Sequence, residues 1–227
     1  KDGPGFYTTR ILTALTDEAA VVALGGVDFH RLDRAMQSFG FPVGPITLID
    51  EVGIDVAAHI AHDLGKALGT RLCSGKPELL QDFVDSGCLG RKSGKGFYLY
   101  EKAPTGFLSR FKKSKGPKPL NPEALKFLQK HRSGDAASLD VEEIQKRLAY
   151  RMVNEAVYCL HEGILMDPVD GDIGAVFGLG FPPFLGGPLR FLDSLGIGTF
   201  VEEMSKFEDK YGERFTPCPK LIEMVKN

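Results

Sequence analysis

The sequence predicts an all-α fold built from a helical unit that occurs twice. Three observations carry this. Apolar residues recur at helical spacing between Gly and Pro breaks, only Phe97-Tyr98-Leu99-Tyr100 reads as extended chain, and four blocks of the first half return in the second in the same order.

The elements follow in sequence. Thr8–Leu24 sets Ile11, Leu12, Leu15, Ala19 and Val22 on one face, and Gly25-Gly26 stops it. Asp28 can cap a second helix carrying Leu32, Ala35, Met36 and Phe39 and ending at Gly40. Pro45 suits the first position of a short helix through Val52. Ile54–Leu68 and Pro77–Val84 follow. Between Lys102 and Lys118 there are six basic residues, no acids and no periodicity, which reads as an exposed connector over residues 101–121. Helical pattern resumes near Pro122. A long helix comes next, capped by Ser138 or Asp140 with Glu142 or Glu143 behind, and it runs to about Glu162. Ile173 to Leu189 is uncharged but contains Pro182, Pro183 and Pro188 and is too short to cross a bilayer, so a buried, turn-rich corner is expected.

The duplication is specific. Glu18-Ala19-Ala20-Val21 matches Glu155-Ala156-Val157-Tyr158, and Gly40-Phe41-Pro42 matches Gly180-Phe181-Pro182. Gly44-Pro45-x-x-Leu48-x-Asp50-x-x-Gly53-Ile54 matches Gly187-Pro188-x-x-Phe191-x-Asp193-x-x-Gly196-Ile197, and Pro77-x-Leu79-Leu80 matches Pro219-x-Leu221-Ile222. The expected division is a first repeat at 1–100, a basic linker at 101–121 and a second repeat at 122–227, which lacks a counterpart of Gly87–Tyr100. Each copy alone would bury a modest core, so the copies are expected to pack on each other.

Composition narrows the function. The chain has 227 residues, is 43% hydrophobic and has a net charge of −2, which suits a folded core and argues against a dedicated nucleic-acid binder. Cys73, Cys88, Cys159 and Cys218 form no CxxC pair and read as reduced thiols. The chain opens at Lys1-Asp2-Gly3-Pro4 without Met and without a basic-then-apolar leader, and reads as a piece of a longer polypeptide.

Three further blocks stand together: Asp2-Gly3-Pro4-Gly5-Phe6-Tyr7-Thr8-Thr9-Arg10, the Gly40–Asp55 block, and Gly90-Arg91-Lys92-Ser93-Gly94-Lys95-Gly96-Phe97-Tyr98-x-Tyr100. In this order and spacing they resemble the C-terminal helical region of the 3-hydroxyacyl-CoA dehydrogenases, over essentially the whole chain. The duplicated unit is similar to the large multifunctional members, above all the mitochondrial ones of fatty-acid β-oxidation. The resemblance implies an NAD-dependent long-chain dehydrogenase joined to an enoyl-CoA hydratase, a thiolase-type β subunit as partner, and a mitochondrial location at the matrix side of the inner membrane. It also implies that the NAD domain and its catalytic His–Glu pair lie upstream. No strand–GxGxxG–helix unit is present here, and Gly94-x-Gly96 precedes Phe97-Tyr98 rather than a helix. The chain by itself is therefore expected neither to bind NAD nor to oxidise substrate. Its part is to close the acyl-CoA cleft and support association. A non-catalytic helical scaffold and a membrane-surface adaptor are the rival readings.

The resemblance points to Phe6, Thr9, Arg10, Gly44 and Pro45 as substrate-side residues. Thr9 stands where simpler members carry an Asn aimed at the substrate carbonyl region, and it could also cap the first helix. Arg10 could face CoA phosphate or pair with a carboxylate in the NAD domain, the interdomain pair being favoured. Gly44-Pro45 resembles a loop near the acyl cleft, yet its copy Gly187-Pro188 argues for a structural component. Asp50 and Asp193 recur, which suggests one shared job such as bonding turn amides beside Gly53 and Gly196. His59 and His62 lie three apart with Asp55 and Asp63 nearby, a spacing that suits metal ligands but more simply a wet helix face. Asp167-x-x-Asp170-Gly171-Asp172 misses the spacing and the closing Glu of a calcium loop. Phe107, Leu108 and Phe111 interleave with Arg110, Lys112, Lys113 and Lys115, so the connector could meet an anionic membrane surface, with a solvated linker as the plainer reading.

Overall fold

The structure is a computed structural model that describes residues 2–74, 76–100, 116–134 and 138–226. The first half folds as α1 (Phe6–Leu24), α2 (Phe29–Phe39), α3 (Pro45–Val52), α4 (Ile54–Leu68) and α5 (Pro77–Asp85). After the described part of the connector come α6 (Pro122–His131), α7 (Val141–His161), α8 (Pro168–Leu179), α9 (Pro188–Leu195), α10 (Ile197–Tyr211) and α11 (Pro219–Lys226). Extended chain among the described residues is confined to isolated bridges, Gly90 with Lys95, Lys95 with Leu99 and Tyr98 with Leu120.

Local chemistry sets the boundaries. Asp28 accepts the Arg31 amide and Asp140 accepts the Glu143 amide, so Asp140 rather than Ser138 caps α7. Pro45, Pro77, Pro122, Pro168 and Pro188 all occupy first helical turns, where their missing N–H costs nothing. Helix α1 begins two residues before the expected Thr8, behind Gly5, so Thr9 lies inside the helix and does not cap it. The residue that pays for this early start is Phe6, whose φ of +49° is rare for a bulky side chain.

Helices α1 and α7 pack along one another at the centre, and one continuous core draws residues from both halves. The halves correspond in their polar joints as well as in their helices. Asp33 on α2 accepts the amides of Ile46 and Thr47 at the start of α3, and Asp172 on α8 accepts those of Leu189 and Arg190 at the start of α9. A Cβ on Gly44 would overlap Asp33, and one on Gly187 would overlap Asp172, which explains both glycines sterically.

Three expectations change. Helix α6, read as part of 122–227, packs on α5 through Phe83 and Phe127, whose ring centroids are 5.0 Å apart. The end of the connector is docked rather than exposed throughout: buried Asn121 donates to the Gly96 carbonyl at 2.7 Å. The segment 173–189 is a buried corner only in part: Ala175, Phe181, Pro188 and Leu189 are buried, but Ile173, Phe177 and Phe184 are 52%, 86% and 74% exposed, and most of its first half is helix α8. No helix among the described residues is long and apolar enough to cross a membrane.

Candidate functional site

Helices α1, α3, α4 and α5 enclose an apolar cavity of about 90 Å³ that opens at one side. Thr9, Leu12 and Thr13 line it from α1, Leu48 and Ile49 from α3, and Ala57, Ile60 and Ala61 from α4. Most of its polar lining is already committed. The Thr13 hydroxyl donates to the Thr9 carbonyl at 2.7 Å, and that of Thr16 to the Leu12 carbonyl at 3.0 Å. Asp17 accepts the Ser74 amide and an Arg151 N–H, and Lys76 donates to the His131 carbonyl.

Of the substrate-side residues expected from sequence, Thr9 is the one that lines this cavity. Pro45 lines a neighbouring cavity of about 70 Å³ with Phe41, Pro42 and Val43. Leu12 and Leu48 line both and stand between them. Gly44 serves the Asp33 joint, and Phe6 is 62% exposed at the surface.

Arg10 is elsewhere. It is 1% exposed, and its guanidinium meets Glu155 at 2.5 Å and Glu162 at 2.7 Å, both on the α7 side. Its carboxylate partners thus lie in the other half of this chain and not in an NAD domain as expected, and its burial leaves no face for a CoA phosphate. Arg71 adds an ion pair to each of the same two glutamates. Burial pushes the Glu155 carboxyl up from the ordinary glutamate value, against the opposing pull of Arg10 and Arg71.

Asp50 and Asp193 do not share a job. Asp50 is buried and accepts the amides of Phe97 and Tyr98 at 2.9 and 3.0 Å and the Tyr100 hydroxyl at 2.9 Å. Burial pushes its carboxyl up despite those bonds. Asp193 is exposed. The Gly90–Tyr100 loop also answers whether a dinucleotide could sit here. A Cβ on Gly90 or Gly96 would overlap Asp50, so these glycines are spent on close packing and offer no phosphate cradle. The residues present do not fit NAD.

The remaining candidates are plain. His59 and His62 stand exposed beside Asp63 at 3.3 and 3.2 Å, and the described residues contain no group of three or more metal-ligating side chains. Asp167 caps α8 by accepting the Val169 amide. The aromatic-basic part of the connector lies in 101–115, outside the described residues. Sequence reading missed the cavity wall contributed by Ala57, Ala61 and Cys73. Comparing the two repeats position by position would have flagged Ala57 and Ala61, which correspond to Phe200 and Met204 in the other copy.

An all-α double unit with a cavity between helices, whose Gly90 and Gly96 are taken up by packing on Asp50, defines the class: a helical domain. The family is equally plain. Residues 5–100 and 144–227 match the family described as 3-hydroxyacyl-CoA dehydrogenase, C-terminal domain, and the chain belongs to it. It is 45% identical over 229 residues to the fatty acid oxidation complex subunit alpha of Shewanella loihica, covering 100% of this chain and 30% of that one. It is 45% identical over 222 residues to the Vibrio cholerae protein of the same name, covering 98% and 29%. The chain thus spans about 30% of the curated relatives it matches. Among solved structures, 3-hydroxybutyryl-CoA dehydrogenase from Escherichia coli superposes with a TM-score of 0.74 at 22% identity, over 98% of this chain and 60% of that one. The dehydrogenase part of multifunctional enzyme 1 from C. elegans gives 0.64 at 22%, over 94% and 46%. These two likenesses concern the fold alone.

The expected mitochondrial location is corrected. The similar subunits come from Shewanella, Idiomarina and Vibrio, which are bacteria and have no mitochondria.

Proposed function

We propose that this chain is the acyl-side helical region of an NAD-dependent 3-hydroxyacyl-CoA dehydrogenase, within a multifunctional hydratase/dehydrogenase subunit of fatty-acid β-oxidation. The observation that carries the reading is the apolar cavity beside Thr9, the position at which this family's resemblance aims the substrate. In the whole polypeptide a preceding domain binds NAD and supplies the general base. This chain orders the acyl group and excludes water around it. Its fold is proposed to divide as repeats 1–100 and 122–227 around a linker at 101–121, with α6 leaning on the first repeat.

The exposed residues Val169, Ile173 and Phe177 share one face of α8 at four-residue spacing. Such a stripe on a surface helix suits association with the rest of the polypeptide. A thiolase-type β subunit as partner is supported by the relatives' being named alpha subunits of a complex. Contact with an anionic membrane through 102–118 rests on the basic composition of that stretch.

The test is the size of the native polypeptide, read by immunoblot of the source cell's extract with an antibody to this chain. A band several times heavier than 24.8 kDa is expected. A band at that mass would mean a protein living without a catalytic half, and the scaffold reading would replace this one.

A further inference from the structure

Where the first repeat holds a docked loop, the second holds an open groove. In the first copy the chain after α5 turns back, and Asp50 accepts the amides of Phe97 and Tyr98. The Phe97 ring packs on Phe83 and Phe29 with centroids 4.5 and 5.2 Å away. Ile46, Ile49, Ile54, Leu79 and Phe83 are all buried in the same core.

Corresponding residues lie 143 positions apart from α3 to the start of α4 and from α9 to the start of α10, and 142 apart along α5 and α11. By that correspondence Ile46 answers to Leu189, Ile49 to Leu192, Asp50 to Asp193, Ile54 to Ile197, Leu79 to Leu221 and Phe83 to Val225. Leu189, Leu192, Asp193, Ile197 and Leu221 together line a groove of about 500 Å³. Asp193 is exposed in it, and Val225 is 49% exposed where Phe83 is fully buried.

The first copy shows what chemistry covers such a floor. An extended segment turns successive side chains to opposite sides, so one ring enters the apolar floor while the backbone amides meet the carboxylate. The walls of the groove also favour a ring. Pro168 opens α8 as Phe29 opens α2, each four residues before the aspartate of the polar joint, and Pro168 lines the groove. With Pro168 and Val225 in place of Phe29 and Phe83, there is more room than Phe97 has. Connectivity points to the source. The loop of the first copy follows α5 directly, and a segment tethered in the same way to α11 would outcompete a free partner of equal chemistry through its effective concentration.

We propose that the groove is the docking surface for an extended, aromatic-bearing segment of the same polypeptide that follows α11, with Asp193 accepting two successive backbone amides as Asp50 does. The proposal rests on the duplication and is independent of the dehydrogenase reading.

Lys220 lines the groove from α11 and gives the test its handle. The native polypeptide is labelled on lysine with a succinimidyl diazirine and irradiated, and the peptide joined to Lys220 is identified by mass spectrometry. Light and heavy-nitrogen preparations are mixed so that links between copies are recognised. The expected peptide lies beyond residue 227 of the same polypeptide and contains Phe or Tyr. A link to a second copy, to another protein or to a preceding domain, or no link, would overturn the proposal. A second arm uses the 227-residue chain and a fluorescein-labelled peptide, Gly-Lys-Gly-Phe-Tyr-Leu-Tyr, which is the sequence of residues 94–100. Fluorescence polarisation is expected to show saturable binding, weakened at least tenfold by Asp193→Ala and lost when the peptide's Phe and first Tyr become Ala. The Asp193 side chain is exposed, so its removal leaves the core intact. No binding, or equal binding to Asp193→Ala, would contradict the proposal while leaving the dehydrogenase reading standing.

Discussion

Arg10 and Arg147 occupy the same position in the two halves, and each forms its buried ion pair with the corresponding glutamate of the other half. Arg10 Nε donates to Glu155 Oε1 at 2.7 Å, and Arg147 Nε donates to Glu18 Oε1 at 2.8 Å. A second pair of equivalents completes the exchange: Arg71 meets Glu155 at 3.3 Å, and Arg214 meets Glu18 at 2.7 Å. All of Arg10, Glu18, Arg147 and Glu155 are buried. The motif that seemed to face substrate thus carries, in its last residue, half of the bolt between the repeats. Because every charge has its partner in the opposite copy, neither copy can bury its α1 or α7 face alone without stranding a charge.

Removing one partner should therefore cost far more than removing both. Glu155→Gln leaves Arg10 with Glu162 alone, and a part of the about 3–5 kcal/mol that a wholly stranded charge costs should be lost. The double replacement Arg10→Met with Glu155→Leu strands less charge and should lose less than the single change, although Arg71 and Glu162 keep part of the penalty. Urea unfolding of the three chains checks the order.

Glu162 gives the network a pH signature. Partial burial works to raise its carboxyl, but hydrogen bonds from Arg10 and Arg71 outweigh it and hold it below the ordinary glutamate value. A carboxylate lowered in the folded state binds its proton more weakly there, so its contribution is complete above about pH 4.5 and fades as pH falls through the folded value. Glu162→Gln should be less stable than the native chain at pH 7, and the gap should close in acid. Thermal unfolding across pH 3 to 7 measures it; a gap that widens in acid would refute the assignment.

Gly96 is predicted to tolerate no side chain. Its missing Cβ leaves room for the Asp50 carboxylate, which accepts the Phe97 amide at Oδ1 and the Tyr98 amide at Oδ2. Gly96→Ala should detach the loop from Asp50 and lower the melting temperature by several degrees, about what a loss of 1–3 kcal/mol produces at this size. Gly134→Ala serves as a comparison in open space, although its positive φ imposes a small strain of its own.

Filling the first repeat's cavity should stabilise the chain while impairing its function. With a cavity of about 90 Å³ and ~24 cal/mol per Å³, complete filling is worth at most about 2 kcal/mol. Ala61→Met should recover part of that in urea unfolding, unless the new side chain overpacks the site.

Much of the fold was legible in the residues because local rules decide it. Asp28 and Asp140 cap, Pro45 and Pro122 open helices, and the paired motifs around Gly44 and Gly187 reveal the duplication. What escaped was set by distance. The carboxylate that Arg10 pairs with could not be named until α7 folds against α1, since Glu155 lies 145 positions away. Asp193 looks like Asp50 in sequence, but it is exposed where Asp50 is buried. The cavity was invisible because no single residue makes it: Thr13 on α1 and Ala57 and Ala61 on α4 leave the space together. The apolar run after Ile173 reads as core by composition, yet α8 turns Phe177 outward.

The most direct test of the whole account compares two preparations in one assay. The native polypeptide recovered by the antibody and the 227-residue chain alone are each supplied with a long-chain 3-hydroxyacyl-CoA and NAD, and NADH absorbance is followed. The account predicts NADH from the native polypeptide and none from the chain, whose glycines pack against Asp50 instead of cradling a dinucleotide. NADH formed by the pure chain, or none formed by the native polypeptide, would contradict it.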